Sequence, residues 1–183
     1  MTNNALIIGD MQHDFITKGG ALYIGDQVEK TINNVLELLD CITFDKVILI
    51  QDWHIRGDPE FDIWGAHCIQ DSYGAEVISD IAKYSDYRIK KRRYSAFFGT
   101  DLDLYLRERS LNHVTVVGVM ANICVLHTTG DACALGYTTT VISDCIETTS
   151  EYERTYALYH IKNVFGARIV GLDDMLEVHN AER

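Results

Sequence analysis

The chain has 183 residues, 47% of them apolar and 23% charged, with a single proline, Pro59. That is ordinary for a folded globular chain, and the length suits one domain, residues 1–183, with a full core. The formal charge of −11 argues against nonspecific binding to nucleic acid or anionic membrane, where phosphate contacts need Lys and Arg.

In chain order, Ala5–Gly9 is an apolar run that ends in Asp10. Residues 26–39 space Val28, Ile32, Val35, Leu36 and Leu39 as one helical face. A second strand is expected over Lys46–Ile50, leading into Gln51-Asp52, then a short helix over Gly74–Ala82 and a short strand over Tyr87–Lys91. A helix follows over Asp101–Arg109, with Asp101 as its cap. His113–Val119 is apolar and β-branched, hence a buried strand, and the next helix stops at Gly136. Thr138–Ser143 is a strand ending in Asp144, Glu151–Phe165 a helix, and Ala167–Val170 the last strand.

This alternation predicts an α/β fold of three layers, a mostly parallel six-stranded sheet with helices on both faces. No apolar run approaches a membrane span. MTNNALIIGD lacks the pattern of a signal peptide, and the five cysteines include no CxxC pair, so reduced thiols and a cytoplasmic location are expected.

Ligands of such sheets bind beyond the carboxyl ends of the strands. That rule selects Asp10, Asp52, Lys91, the turn from Met120 to Cys124, and Asp144. Asn122 is a plausible N-cap, which puts Cys124 in a first helical turn, where the helix dipole lowers a thiol pKa and backbone N–H groups can hold an oxyanion. The bland alternative is a buried structural cysteine. Asp10 is a candidate base, with Asp14 as its rival, and Lys91 either steadies that carboxylate or is one more surface cation in Lys90-Lys91-Arg92-Arg93. Asp52 and His54 share one side of an extended segment, and with His67 they could bind a divalent ion such as Zn²⁺, with Asp58, Glu60 and Cys68 as competing ligands. His127 lies three residues after Cys124 and suggests either a Cys-His dyad or a packed histidine.

Taken together, LIIGDMQHDF, QDWH, IWGAHCIQDSYGAEV, KRRYSAFFGTDLD and GVMANICVLHTTGDACALGY resemble the isochorismatase-like cysteine hydrolases, which include nicotinamidases, N-carbamoylsarcosine amidases and isochorismatases. The resemblance implies an Asp10-Lys91-Cys124 catalytic triad and a metal set of Asp52, His54 and His67, most simply for Zn²⁺. It implies a cis peptide at Val119-Met120, which helps aim the Met120 and Cys124 N–H groups as an oxyanion hole, and a substrate pocket lined by Phe15, Trp64 and Tyr94. The loop from His54 to His67 lacks the extra histidine of many nicotinamidases, leaving Asp58, Glu60 or water as the fourth ligand.

The resemblance further implies a cysteine amidohydrolase that releases ammonia from a small amide through a thioester. Nicotinamide is the first candidate, and N-carbamoylsarcosine or another N-carbamoyl acid the second. SAFFGT favours the second, which would need a cation such as Arg92 or Arg93 for the substrate carboxylate. A catalytically silent binding module on the same fold is the alternative of another class. A homo-oligomer, dimer or tetramer, is implied as well, with no nucleic-acid or membrane partner.

Overall fold

A computed structural model describes residues 3–181; the expected domain over 1–183 also takes in Met1, Thr2, Glu182 and Arg183, which lie outside the described residues. Strand alternation decides the layers. In β1 (Asn4–Gly9), Leu6 and Ile8 enter one apolar cluster while Ala5 and Ile7 enter the other, and all four are buried. A strand apolar on both faces fits only between two helical layers.

The other strands are β2 (Lys46–Asp52), β3 (Tyr87–Lys91), β4 (His113–Val119), β5 (Thr138–Glu147) and β6 (Arg168–Val170). Their order is β3-β2-β1-β4-β5-β6, and every pair is parallel. Helices α2 (Val28–Cys41) and α8 (Leu172–Ala181) supply one cluster through Val35, Leu38, Leu172 and Met175. On the other face, α5 (Leu102–Glu108), α6 (Leu126–Ala134) and α7 (Glu151–Asn163) supply Leu106, Ala132 and Ile161. Three one-turn helices, α1 (His13–Ile16), α3 (Phe61–Trp64) and α4 (Ser79–Ala82), sit in the connections. The chain runs outward from β1 to β3, then restarts at β4 on the other side. The crevice between the carboxyl ends of β1 and β4 is therefore the switch point where such sheets bind ligands.

Several expectations need correction. Residues 74–82 are not one helix: a 3₁₀ turn (Tyr73–Ala75) precedes α4, because Val77 is drawn into an antiparallel bridge with Gln12. Asp101 does not cap α5; its carboxylate accepts from the Tyr87 hydroxyl at 2.6 Å, and Thr100 Oγ1 accepts the Leu102 N–H instead. β5 does not end before Asp144. It bulges there and rejoins β4, pairing Gly118 with Ile146. Asp144 accepts the Leu172 N–H at 2.9 Å at the start of α8, a helix the sequence reading left out.

Candidate active site

The end of β1 is bent to present Asp10. Asp10 has a left-handed backbone, φ 51°, which Asp tolerates better than most residues. Its N–H donates to Ile50 O, which ties it across to β2. Gly118 on β4 lies opposite Gly9 in register, and at φ 110° a Cβ there would overlap the Gly9 carbonyl. Only glycine lets the two strand ends close so tightly.

The Val119-Met120 peptide is cis, as the resemblance implied. The next residues, Ala121–Val125, form a wide π-type turn that runs into α6, with Met120 rather than Asn122 at the cap position. Asn122 points elsewhere, its Oδ1 accepting from Thr148 Oγ1 at 2.6 Å. Cys124 still falls at the helix mouth, where the first N–H groups lack intrahelical partners.

Asp10, Lys91 and Cys124 meet there, all fully or nearly fully buried. Lys91 Nζ lies 3.1 Å from Asp10 Oδ2 and 3.4 Å from Cys124 Sγ, and it donates a short hydrogen bond to Asp52 Oδ1. The ligand atoms of Asp10, Asp52 and Cys124 all lie within 4.8 Å of one another. Burial raises Asp10, Lys91 pulls it back and Asp52 pushes it up again, leaving it at about 7. Lys91 is held well above its usual value; burial opposes its charge, but Asp10, Asp52 and Cys124 outweigh burial. Cys124 is also pushed well up, by burial first and then by Asp10. This corrects the expectation of a low-pKa thiol. In water-poor surroundings with two carboxylates beside it, the thiol keeps its proton until a base takes it.

Asp52, His54 and His67 gather beside this group, also within 4.8 Å of one another and buried. His67 returns because the segment after it pairs with His54: His54 N–H donates to Cys68 O, and Gln70 N–H to His54 O. Asp52 Oδ2 is 3.8 Å from His54 Nε2 and 3.9 Å from His67 Nε2. His67 Nδ1 donates to Gly65 O at 2.8 Å, which leaves its Nε2 lone pair facing Asp52. Both His54 ring nitrogens are buried without a hydrogen-bond partner, Nδ1 lying 3.3 Å from Asp58 Oδ2. Burial lowers the His67 pKa and keeps that ring neutral. One lysine faces the buried Asp10 and Asp52, and although burial lowers the His54 pKa, Asp52, Asp58 and Glu60 raise it overall, so the cluster favours further positive charge. Orphaned imidazole nitrogen, neutral His67 and this demand for charge all fit a borderline divalent cation such as Zn²⁺.

The competing ligands separate by position. Glu60 faces the cluster, with Oε1 4.0 Å from His54 Nε2, and lines the pocket. Asp58 sits behind His54, 3.3 Å from Nδ1. Burial pushes the Asp58 carboxyl up, but the Glu60 N–H, His54, Arg92 and Arg93 together hold it down at about 2. Cys68 faces Gly74 O instead, and burial carries its thiol far above the usual range.

A pocket with about 330 Å³ of empty space, the solvent at its mouth included, lies above Cys124. Its walls include the expected Phe15, Trp64 and Tyr94, and Trp64 Nε1 donates to the Tyr94 hydroxyl at 3.2 Å. Asp14 is not in it; that carboxylate accepts the Cys68 and Ala21 N–H groups and holds two loops together. His127 is exposed, its Nδ1 bonded to Ile123 O at 2.7 Å, and makes no dyad with Cys124.

The isochorismatase domain family matches residues 4–172. The chain belongs to this family. Among solved structures, a nicotinamidase/pyrazinamidase PncA from Bacillus subtilis is 31% identical, covering 91% of this chain and 98% of that one at a TM-score of 0.84. An N-carbamoylsarcosine amidase from Thermoplasma acidophilum is also 31% identical, covering 93% and 96% at a TM-score of 0.81. A pyrazinamidase of Pyrococcus horikoshii, in complex with zinc, is 31% identical, covering 92% and 99% at a TM-score of 0.84.

Within this member of the isochorismatase family, sequence reasoning missed Gln12, Leu22, Met120 as a pocket wall, and Ile123. Leu22 and Ile123 line the pocket from segments with no periodic signal. Gln12 is fully buried: its Nε2 donates to Asp52 O and Ala75 O, and its Oε1 accepts the Asp52 N–H. The side chain thus ties the end of β1 to the end of β2 and sets Asp52 beside Asp10. Its position two residues past a strand-end Asp was the available signal.

Proposed function

We propose that this isochorismatase-family protein is a cysteine amidohydrolase that cleaves the C–N bond of a small neutral amide and releases ammonia. One observation carries the reading. The buried Cys124 thiol and Asp10 carboxylate, both beside the buried Lys91 ammonium, line a pocket in which Phe15, Leu22, Trp64, Tyr94, Met120 and Ile123 form an aromatic and apolar side.

Cys124 is the nucleophile and Asp10 the base. Asp10 takes the thiol proton as sulfur attacks the amide carbon, and the oxyanion forms against the Met120 and Cys124 N–H groups. Asp10 then gives the proton to the leaving nitrogen, and ammonia departs. Asp10 next removes a proton from water, which attacks the thioester and frees the acid and the thiol. Lys91 holds positive charge against Asp10 and sulfur throughout. Asp52, His54 and His67, with Glu60 as the fourth donor, would hold a divalent cation, zinc first; when bound, it supplies Lewis-acid polarisation beside the reacting group.

The pocket favours nicotinamide over an N-carbamoyl acid. Phe15, Leu22, Trp64, Tyr94 and Ile123 suit a flat neutral ring, whereas Asp10, Asp52 and Glu60 repel a carboxylate. Arg92 and Arg93, the cations such an acid would need, are engaged with Asp58. We also propose a homo-oligomer in the cytoplasm, as the family resemblance implies; the five free cysteines suit a reducing compartment. Among the described residues no helix is long and apolar enough to cross a membrane. Light scattering during size exclusion measures the assembly.

The test is ammonia release from nicotinamide and from N-carbamoylsarcosine by the wild type and Cys124→Ala. Turnover of nicotinamide that falls by about 10⁴-fold or more in the variant is expected. Turnover that survives the substitution sinks the nucleophile assignment, and turnover of neither amide favours the silent binding module.

A further inference from the structure

Arg92 and Arg93 follow the β3 residue that bears the Lys91 ammonium, yet neither turns toward the pocket floor. Both reach back to one carboxylate. Arg92 Nε donates to Asp58 Oδ2 at 3.1 Å, and Arg93 Nη1 to Asp58 Oδ1 at 3.1 Å. Arg93 Nη1 also lies 3.7 Å from Glu60 Oε2. The Glu60 N–H donates to Asp58 Oδ1 at 3.1 Å, so the carboxylate is fixed from three directions. The Asp58 side chain is fully buried, while the two arginine side chains are 46% and 40% exposed.

Behind this clamp, Asp58 Oδ2 stands 3.3 Å from His54 Nδ1. Surface arginines gathered on a buried aspartate have a plain structural use in tying down the 55–67 loop. That use does not require the aspartate to abut the imidazole face opposite Asp52 and Glu60, and here it does. A carboxylate at Nδ1 holds the proton there and leaves the Nε2 lone pair for a cation.

We propose that Asp58, clamped by Arg92 and Arg93, is the positioning residue that fixes the His54 ring and tautomer for metal binding through Nε2. This rests on the metal reading of Asp52, His54 and His67 given above. The clamp also makes the cation site depend on β3: the strand that places Lys91 against Asp10 places the arginines that orient His54. The geometry of the charge cluster and of the metal donors is thereby set by one element.

The experiment measures zinc affinity by chelator competition, together with the ¹⁵N-edited signal of the His54 Nδ1–H in the zinc-saturated protein. Asp58→Asn and the double variant Arg92→Gln/Arg93→Gln are compared with wild type. The thermal midpoint of each metal-free variant reports folding. The arginine pair is half exposed and keeps the test decisive even where Asp58→Asn fails to fold. Zinc affinity is expected to fall by about 10–100-fold in Asp58→Asn and by less in the arginine variant. In both, the Nδ1–H signal broadens into exchange with water even at saturating zinc. A folded arginine variant with zinc affinity within about twofold of wild type, and with an unchanged Nδ1–H signal, overturns the proposal while leaving the metal reading intact. A wild type that binds no zinc overturns the metal reading itself, and the proposal with it.

Discussion

Asp10 shows how a single side chain can be tuned against its own solvation. Free in water it ionises near 3.8; at the end of β1 burial, against the pull of Lys91, leaves it at about 7. Between those pH values the folded chain holds a proton that the unfolded chain lacks, so stability falls as pH rises from about 4 to about 7. Asp10→Asn removes that loss. The metal-free variant is expected to be more stable than wild type at pH 8 by about 1–3 kcal/mol, and equal to it near pH 4, by urea midpoints. Activity should behave in the opposite sense, because the proposed base works only when ionised. kcat/KM is expected to decline as pH falls through about 7. Saturating zinc should move that limb to lower pH, since a cation beside Asp52 offsets that carboxylate's repulsion of Asp10. Profiles recorded at limiting and saturating zinc check both statements, and a limb that does not move removes the coupling. Cys124 teaches the converse lesson. The helix mouth alone argues for an acidic thiol, but burial beside Asp10 wins and pushes it up.

At the scale of elements, the close approach of β1 and β4 rests on Gly118. Gly118→Ala is expected to cost about 3 kcal/mol or more, because the new methyl meets the Gly9 carbonyl in a conformation an L-residue already resists. Gly65 has φ 77° with open space around it, so Gly65→Ala should cost only about 1–2 kcal/mol. Chemical denaturation of both variants separates the clash from backbone preference, and equal costs would deny the clash. Helices whose signal is local were legible at this scale. The spacing of Val28, Val35 and Leu39 marked α2, and α7 begins at Glu151 as expected, after a Ser150 cap whose Oγ accepts the Glu153 N–H. Elements decided by distant partners were not. The expected helix over 74–82 broke because Gln12 pairs with Val77, and β5 ran on past Asp144 because β4 resumed the ladder at Gly118.

Over the whole molecule, the site is a product of sheet order. The proposed metal donors come from the end of β2 and a loop that returns beside it, the ammonium from β3, the proposed base from the end of β1 and the thiol from the turn after β4. A cation bound there would tie the end of β2 to the loop that returns beside it, a geometry absent from the unfolded chain. Zinc at 100 times its dissociation constant is expected to stabilise the fold by about 2.7 kcal/mol. A wild-type thermal midpoint unmoved by excess zinc would place no cation among Asp52, His54 and His67. The sequence by itself determined the α/β alternation, the parallel sheet and the residues at its strand ends, because hydrophobic period and chain order are local properties. It also carried the family resemblance, through five short segments in order. Tertiary structure alone decided that Asp58 backs His54 while Glu60 faces the cluster, that Arg92 and Arg93 serve Asp58, and that the Cys124 thiol is held protonated. Those outcomes depend on burial and on which charges meet across the sheet, and neither is set by spacing along the chain.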